Sequence, residues 1–111
     1  PGLKEHPGHA VAERQMTGGF GAMMCFEVQG GLEAGVRFCE ALEIIIRAVS
    51  LGGVESLIQH PASMSHLKTP PEVKERLGIT DGLLRFSVGI EDEADLKADL
   101  ERGFQAATMM R

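Results

Sequence analysis

The sequence predicts one domain of the α+β class, in which a largely antiparallel sheet of about four strands carries helices on one face. Three observations lead to this prediction. The chain has 111 residues, which is the length of a single domain. Apolar residues alternate with period two in some segments and recur every three or four residues in others. The connections between the predicted strands are too short for repeated parallel crossovers.

The first 21 residues are predicted to form an arm, because they are rich in Gly, His and Pro. Residues 9–16 are compatible with a short helix, which the glycine cluster at 18–21 ends. This cluster resembles a phosphate-binding loop in composition alone, since it precedes a strand and lacks the Lys-Ser/Thr pair, so we interpret it as a flexible turn. The domain proper is predicted to span residues 22–111.

A strand and a helix are predicted at the start of the domain. Residues 22–28 alternate and read as a strand that Gly30-Gly31 ends. Residues 32–43 follow as a helix whose apolar residues are spaced by four, three and three. The predicted buried stripe consists of Leu32, Val36, Cys39 and Leu42. The charged residues expected to face water are Glu33, Arg37 and Glu40.

Three further strands are predicted. Residues 44–49 are a β-branched run typical of a buried strand, which residues 50–53 break. A shorter strand follows at 56–59. Residues 83–90 give the strongest strand pattern of the chain. One face of this last strand carries Leu84, Phe86, Val88 and Ile90, and the other carries Arg85, Ser87 and Gly89.

Two more helices are indicated by their termini. Thr69 is predicted to cap the first of them, with Pro70 at its first position and Glu72 completing a capping box. Gly78 ends this helix. The last helix opens with acidic residues at 92, 93 and 95, which complement the positive end of the helix dipole. Its core-facing residues are predicted to be Leu96, Leu100 and Phe104.

Composition narrows the class of protein. The net charge is −5 and long basic tracts are missing, so no nucleic-acid partner is expected. Apolar runs fall far short of the roughly 18 residues of a membrane span, so no membrane partner is expected. Two cysteines and the lack of a signal segment favour a soluble protein of the cytoplasm. Because the chain begins Pro1-Gly2 without an initiator Met, we expect a processed or truncated product.

Histidines and cysteines give no strong indication of a metal site or a nucleophile. The histidines are His6, His9, His60 and His66. The first two are separated by Pro7-Gly8, which does not continue a helix, and the others lack a cysteine or carboxylate at ligand spacing. No metal site is predicted. Cys25 and Cys39 have no sequence-local basic neighbour, so we interpret both as packed apolar groups.

Arg85 is the most informative single residue. An arginine in the middle of an apolar strand faces either solvent or an anion, because burial without a counter-charge is prohibitive. Spacing alone leaves two interpretations open. Arg85 is either a solvated residue on the open face of the sheet or a bidentate clamp for a carboxylate or phosphate.

Several segments in order resemble the pyridoxal-phosphate (PLP)-dependent enzymes of Cys/Met metabolism. The strongest are residues 50–58 (SLGGVESLI), 60–66 (HPASMSH) and 82–92 (GLLRFSVGIED). Weaker matches are His6-Pro7, Arg14-Gln15-Met16 and Phe26-Glu27. The family includes cystathionine γ-synthase, cystathionine γ-lyase, methionine γ-lyase and O-acylhomoserine sulfhydrylase. The chain resembles their C-terminal domain over nearly its whole length.

The resemblance implies the small C-terminal domain of a fold-type I PLP enzyme. In this family the Schiff-base lysine and the phosphate-binding residues belong to a large N-terminal domain, which is absent from this chain. The lysines here fit no such motif; they are Lys4, Lys68, Lys74 and Lys97. The chain alone is therefore expected to bind no PLP and to be inactive. The resemblance further implies a homotetramer for the intact enzyme, with active sites at a dimer interface.

The resemblance also implies site residues. Arg85 matches the arginine that binds the α-carboxylate of the amino-acid substrate. Ser50, with Leu51 beside it, matches a serine that helps to bind this carboxylate. Ser65 lies at a position that usually holds Thr next to the active site. Val49 lies where cystathionine enzymes often have Glu, which favours a methionine γ-lyase-like γ-elimination. Cystathionine γ-synthase, cystathionine γ-lyase, O-acylhomoserine sulfhydrylase and a stand-alone assembly module without catalysis stay open as alternatives.

Overall fold

The computed structural model describes residues 1–109. The helices are α1 (His9–Gln15), α2 (Gly31–Glu40), α3 (Pro71–Leu77) and α4 (Glu93–Thr108), with a single 3₁₀ turn at Pro61–Ser63. The strands are β1 (Met23–Glu27), β2 (Ile46–Arg47), β3 (Leu57–Gln59) and β4 (Leu83–Ser87). The predicted helices and strands are therefore all present, several of them shorter than predicted.

The four strands form one sheet in the order β1-β4-β3-β2. β4 pairs antiparallel with both β1 and β3, and the short β2 pairs parallel with β3. The α+β class and the largely antiparallel sheet are confirmed. The one parallel pair arises because residues 48–56 return the chain to the end of the sheet from which β2 started. This loop carries part of the site described below.

The core lies between one face of the sheet and helices α2 and α4. Phe38 of α2, Ile58 of β3 and Leu84 of β4 are fully buried. Phe38 and Phe104 pack edge to face with ring centroids 5.0 Å apart. Gly103 makes room for this contact, because a Cβ there would lie 2.7 Å from the Phe38 ring. Aromatic packing thus fixes α4 against α2 and the sheet.

The face that α2 buries differs from the prediction. Leu32 is exposed and Val36 only partly buried, whereas the buried residues are Ala34, Gly35, Phe38 and Cys39. The helix is rotated so that Phe38 and the small residues Ala34 and Gly35 face the core. Arg37 does not face water as predicted: its side chain is 18% exposed. It donates to the carbonyls of Ala106 (3.2 Å) and Ala107 (3.1 Å) at the C-terminal end of α4.

The run at residues 44–49 is not a buried strand. Only Ile45 is buried, and Ile46 is exposed. β2 lies at the edge of the sheet and pairs with β3 on one side only, so its other side faces outward. On β4 the prediction holds for Leu84 and Phe86, but the strand ends at Ser87 and Ile90 is 81% exposed.

The predicted start of the third helix is also corrected. α3 begins at Pro71, and Pro70 is the extended residue before it, with φ −56° and ψ 144°. A residue that precedes proline is disfavoured in helical conformation, so Pro70 cannot be the first helical residue. Thr69 does not cap the helix; its hydroxyl pairs with Nδ1 of His66 at 3.2 Å. Gly78 does end α3, with φ 73°.

Asp99 is a buried carboxylate that the pattern of α4 did not predict. The buried face of α4 consists of Leu96, Asp99, Gly103 and Ala107. Asp99 is 0% exposed, and its carboxylate accepts hydrogen bonds from the backbone N–H groups of Glu43 (2.8 Å), Ile44 (3.0 Å) and Ile45 (2.7 Å). Arg102 also donates to it at 2.7 Å. Asp99 therefore fixes the turn that leads into β2.

Ionisation of Asp99 follows from these contacts. Burial alone would raise the pKa of its carboxyl, but the three backbone hydrogen bonds and that from Arg102 outweigh burial and hold the pKa below the ordinary value. The side chain is therefore charged at neutral pH.

Candidate functional site

Arg85 projects from the face of the sheet opposite to α2 and α4. Its neighbours Leu84 and Phe86 point into the core, and alternation along a strand sends Arg85 to the other side. Cys25 of β1 and Gln59 of β3 are its direct cross-strand partners. An open cleft of about 400 Å³ lies over this row. It is lined by Cys25, Val49, Gln59, Pro61, Ser65, His66, Ile79, Leu83 and Arg85.

The guanidinium of Arg85 is held by backbone carbonyls. Its Nη2 donates to the carbonyl of Val49 at 3.1 Å and to that of Ser50 at 3.2 Å. Its Nε is buried and has no hydrogen-bond partner in the described part of the chain. None of the described residues that line the cleft is acidic. The cleft therefore presents a fixed positive charge without a counter-charge, which suits an anionic group.

The other predicted site residues lie around Arg85 in different ways. Val49 and Ser65 line the cleft, and Ser50 contributes its carbonyl to the arginine. The hydroxyl of Ser65 accepts a hydrogen bond from the amide of Gln59. Leu51 is exposed and does not line the cleft. The structure thus brings Val49, Ser50 and Ser65 together with Arg85, and leaves Leu51 beside them.

Two polar residues to which the sequence analysis gave no role, Ser87 and Glu91, anchor the 49–56 loop, which is the segment from Val49 to Ser56. Ser87 accepts a hydrogen bond from the N–H of Gly52 at 2.9 Å. Glu91 accepts from the N–H of Ser56 at 2.8 Å and from its hydroxyl at 2.7 Å. These hydrogen bonds, first that from the backbone and then that from the side chain, lower the pKa of Glu91. Alternation along β4 places Ser87 on the Arg85 face and could have revealed this residue.

The loop also contacts the chain after β4 through its backbone. The N–H of Ile90 donates to the carbonyl of Val54 at 2.8 Å. The N–H of Gly89 donates to the hydroxyl of Ser56 at 2.8 Å. A Cβ at Gly89 would lie 2.3 Å from the carbonyl oxygen of Val54. Only glycine allows the loop to approach this closely.

The two cysteines differ in their surroundings. Cys39 is buried, and burial raises the pKa of its thiol to about 11, so its interpretation as a packed group is confirmed. Cys25 is exposed, so its interpretation as a packed group is wrong. Cys25 is the cross-strand partner of Arg85 and lies on the same open face of the sheet.

His60 is a buried residue with both ring nitrogens hydrogen-bonded. Its Nε2 donates to the carbonyl of Asp81 at 2.6 Å, and its Nδ1 pairs with the hydroxyl of Ser63 at 2.7 Å. Within residues 1–109, no group of three or more His, Cys, Asp or Glu side chains is arranged to hold a metal ion.

Helices long and apolar enough to cross a membrane are not found in the described part of the chain.

The described residues that line the cleft offer no covalent attachment point for PLP. That cofactor needs a lysine amine within the site, and no lysine is among the described residues that line the cleft. Lys97, for example, lies on α4 and pairs with Glu93 at 2.8 Å. The cleft is suited instead to the charged end of a small molecule.

Curated relatives share about half of the residues of this chain. L-methionine gamma-lyase of Fusobacterium nucleatum subsp. polymorphum is 53% identical over 105 residues, which is 95% of this chain and 26% of that protein. Cystathionine gamma-synthase of Escherichia coli K12 is 51% identical over 107 residues, 96% of this chain and 28% of that protein. The chain thus spans about a quarter of the length of the curated relatives it matches.

Solved structures match the fold as well as the sequence. Cystathionine gamma synthase from Xanthomonas oryzae pv. oryzae, in complex with cystathionine, is 54% identical with a TM-score of 0.84. Cystathionine gamma-lyase from Lactobacillus plantarum, complexed with L-serine, is 46% identical with the same TM-score. Each match covers 96% of this chain and 27% of the other chain. Residues 1–105 match the family described as Cys/Met metabolism PLP-dependent enzyme, and the chain belongs to this family.

Proposed function

We propose that this chain is the C-terminal substrate-binding domain of a PLP-dependent carbon–sulfur lyase or transferase that acts on a sulfur-containing amino acid. The observation that carries the proposal is the fixed guanidinium of Arg85 over a cleft lined by no acidic residue. The two related structures hold L-serine and cystathionine. Both ligands are amino acids and carry the anionic group that such an arginine recognises.

In this proposal Arg85 binds the α-carboxylate of the substrate. Both backbone contacts of the guanidinium start from Nη2, so Nη1 is available to a carboxylate, which becomes bidentate when it also takes one Nη2 hydrogen from a backbone carbonyl. The carbonyls of Val49 and Ser50 hold the guanidinium in this orientation. Ser65 lines the same cleft. PLP, when bound by the rest of the enzyme, supplies the electron sink for the reaction. The residues of this chain orient the substrate toward it, which is catalysis by positioning.

The reaction that we propose is γ-elimination of a methionine-like substrate, which consumes water and releases a thiol, ammonia and a 2-oxo acid. Val49 supports this choice, because an apolar side chain at the cleft cannot pair with the distal ammonium of cystathionine. Val49 is 63% exposed, so it lies at the open rim of the cleft. Cystathionine γ-synthase, cystathionine γ-lyase and O-acylhomoserine sulfhydrylase are the alternative activities.

Steady-state kinetics of the full-length enzyme test this substrate preference. We expect kcat/KM to be higher for methionine than for cystathionine. The Val49→Glu variant is expected to shift the ratio toward cystathionine by roughly tenfold or more, because the carboxylate can pair with the distal ammonium. Val54→Glu, on the same loop but away from the cleft lining, is the matched control and should leave the ratio unchanged. A strong preference of the wild-type enzyme for cystathionine would contradict the role of Val49.

The isolated chain is expected to be inactive. Without a lysine in the cleft, incubation with PLP should give no lysine-specific absorbance band and no release of thiol from methionine. Absorbance spectroscopy and a thiol assay check this. A stable band accompanied by turnover would show that the chemistry does not need a second domain.

We also propose how this domain is arranged in the full-length protein. Residues 1–21 form the arm and residues 22–111 the substrate-binding domain, preceded by a PLP-binding domain in a cytoplasmic homotetramer. The share of the relatives that this chain covers supports the missing domain. Sequencing the reading frame upstream of the codon for Pro1 tests the arrangement. A frame that continues through a cofactor domain agrees with it, and a start codon directly before Pro1 would favour a stand-alone module.

A further inference from the structure

We propose that Glu91 is a positioning residue for substrate carboxylate recognition: it holds the 49–56 loop in place, and the loop in turn holds Arg85. The inference rests on the proposed function of Arg85 as the carboxylate clamp. Glu91 is not among the residues that line the cleft. Its effect on the substrate therefore passes through the loop.

The first link is the contact between Glu91 and Ser56. Both carboxylate oxygens are used, one by the N–H of Ser56 and the other by its hydroxyl. Ser56 is fully buried, and its hydroxyl oxygen also accepts from the N–H of Gly89. One end of the loop is thus tied to the chain after β4 by three hydrogen bonds, two of which involve a charged acceptor and are stronger than neutral ones.

The second link runs along the loop to Arg85. The N–H of Gly52 donates to Ser87, and the carbonyls of Val49 and Ser50 accept from Arg85. The residues that hold the loop or meet it closely occur at every second position of β4 and its continuation: Arg85, Ser87, Gly89 and Glu91. Residues 85–91 therefore carry the arginine and also the residues that hold the 49–56 loop. The carbonyls of this loop orient the arginine.

These contacts hold the loop against the arginine. At Gly89 the loop backbone is so close that a Cβ would lie 2.3 Å from the carbonyl oxygen of Val54. If Glu91 lost its hydrogen bonds, the loop would move and the guanidinium would move with its two carbonyls. Bidentate binding of a carboxylate depends on such geometry, and small displacements weaken it.

The test uses the full-length holoenzyme and two inhibitors that differ only in the carboxylate, norleucine and pentylamine. Inhibition constants are measured for the wild type, Arg85→Ala, Glu91→Gln and the matched control Glu93→Gln. Glu93 is an exposed acid two residues away that pairs with Lys97. We expect Glu91→Gln to weaken norleucine by roughly tenfold, about the effect of one lost charged hydrogen bond, with pentylamine within about twofold. Glu93→Gln should change neither constant.

Three outcomes would overturn the inference. Equal weakening of both inhibitors by Glu91→Gln would mean a general structural role. If Glu91→Gln leaves norleucine binding unchanged while Arg85→Ala loses the preference for norleucine, the role of Glu91 is refuted and that of Arg85 is kept. A norleucine preference that survives in Arg85→Ala would refute the proposed function and this inference with it. If Glu91→Gln does not fold, Ser56→Ala replaces it, because this variant loses the hydroxyl contacts to Glu91 and Gly89 but keeps the backbone one.

Discussion

Replacing Arg85 with alanine in the full-length enzyme is expected to lower kcat/KM by at least roughly a hundredfold, because a bidentate charged contact to the substrate is lost. The absorbance of bound PLP should stay unchanged, since we propose that residues outside this chain hold the cofactor. Steady-state kinetics on methionine, together with the cofactor spectrum, measure both effects.

Two further variants make the Arg85 result specific. Arg85→Lys should recover only part of the activity, because a point charge cannot reproduce the planar fork of a guanidinium. Arg76→Ala removes an exposed arginine of α3 and serves as the control, with kinetics close to those of the wild type. Wild-type kinetics in Arg85→Ala would mean that Arg85 is a solvated residue on the open face of the sheet.

Replacing Asp99 with asparagine is expected to destabilise the chain by about 2–3 kcal/mol, because charged hydrogen bonds to the backbone of residues 43–45 and to Arg102 are lost or weakened in a buried site. Urea denaturation of the two proteins measures the difference. Asp95→Asn changes an exposed acid of the same helix and should cost less than about 1 kcal/mol.

The effect of Asp99 on stability depends on pH in a defined direction. Its pKa is lowered in the folded chain, so its stabilisation is complete above the ordinary aspartate pKa and is lost as the pH falls through the lowered value. The stabilities of the wild type and of Asp99→Asn should therefore converge in acid. A constant difference at every pH would show that the Asp99 charge does not contribute to stability.

Much of the fold could be predicted because it follows from local patterns. Alternation along residues 83–90 placed Leu84 and Phe86 in the core and Arg85 on the opposite face. Arg37 was misjudged and Asp99 was missed, because the partners of both residues lie far along the chain. Arg37 caps α4 about 70 residues away, and Asp99 binds a turn 54 to 56 residues away. Local periodicity carries no information about such contacts.

Some residues of the candidate site could also be predicted from the sequence, and others could not. Arg85 was singled out because a charge interrupts an apolar strand. Its neighbours Val49, Ser50 and Ser65 were predicted as site residues from the resemblance to a family. The roles of Ser56 and Glu91 were not predicted, since a serine at the start of a strand and an acid before a helix are ordinary residues by pattern. Their contact joins positions 35 residues apart. Only the folded chain shows that they meet, at the end of the loop that holds the arginine.

A crystal structure of the full-length enzyme with norleucine bound tests the role of Arg85 most directly. We expect the α-carboxylate to lie about 2.7–3.0 Å from two guanidinium nitrogens, as in bidentate arginine–carboxylate pairs. One of the Val49 and Ser50 carbonyls should still accept from Nη2, whose other hydrogen then binds the carboxylate. A carboxylate bound by other residues, with the Arg85 guanidinium beyond hydrogen-bond distance, would contradict its assignment as the substrate clamp.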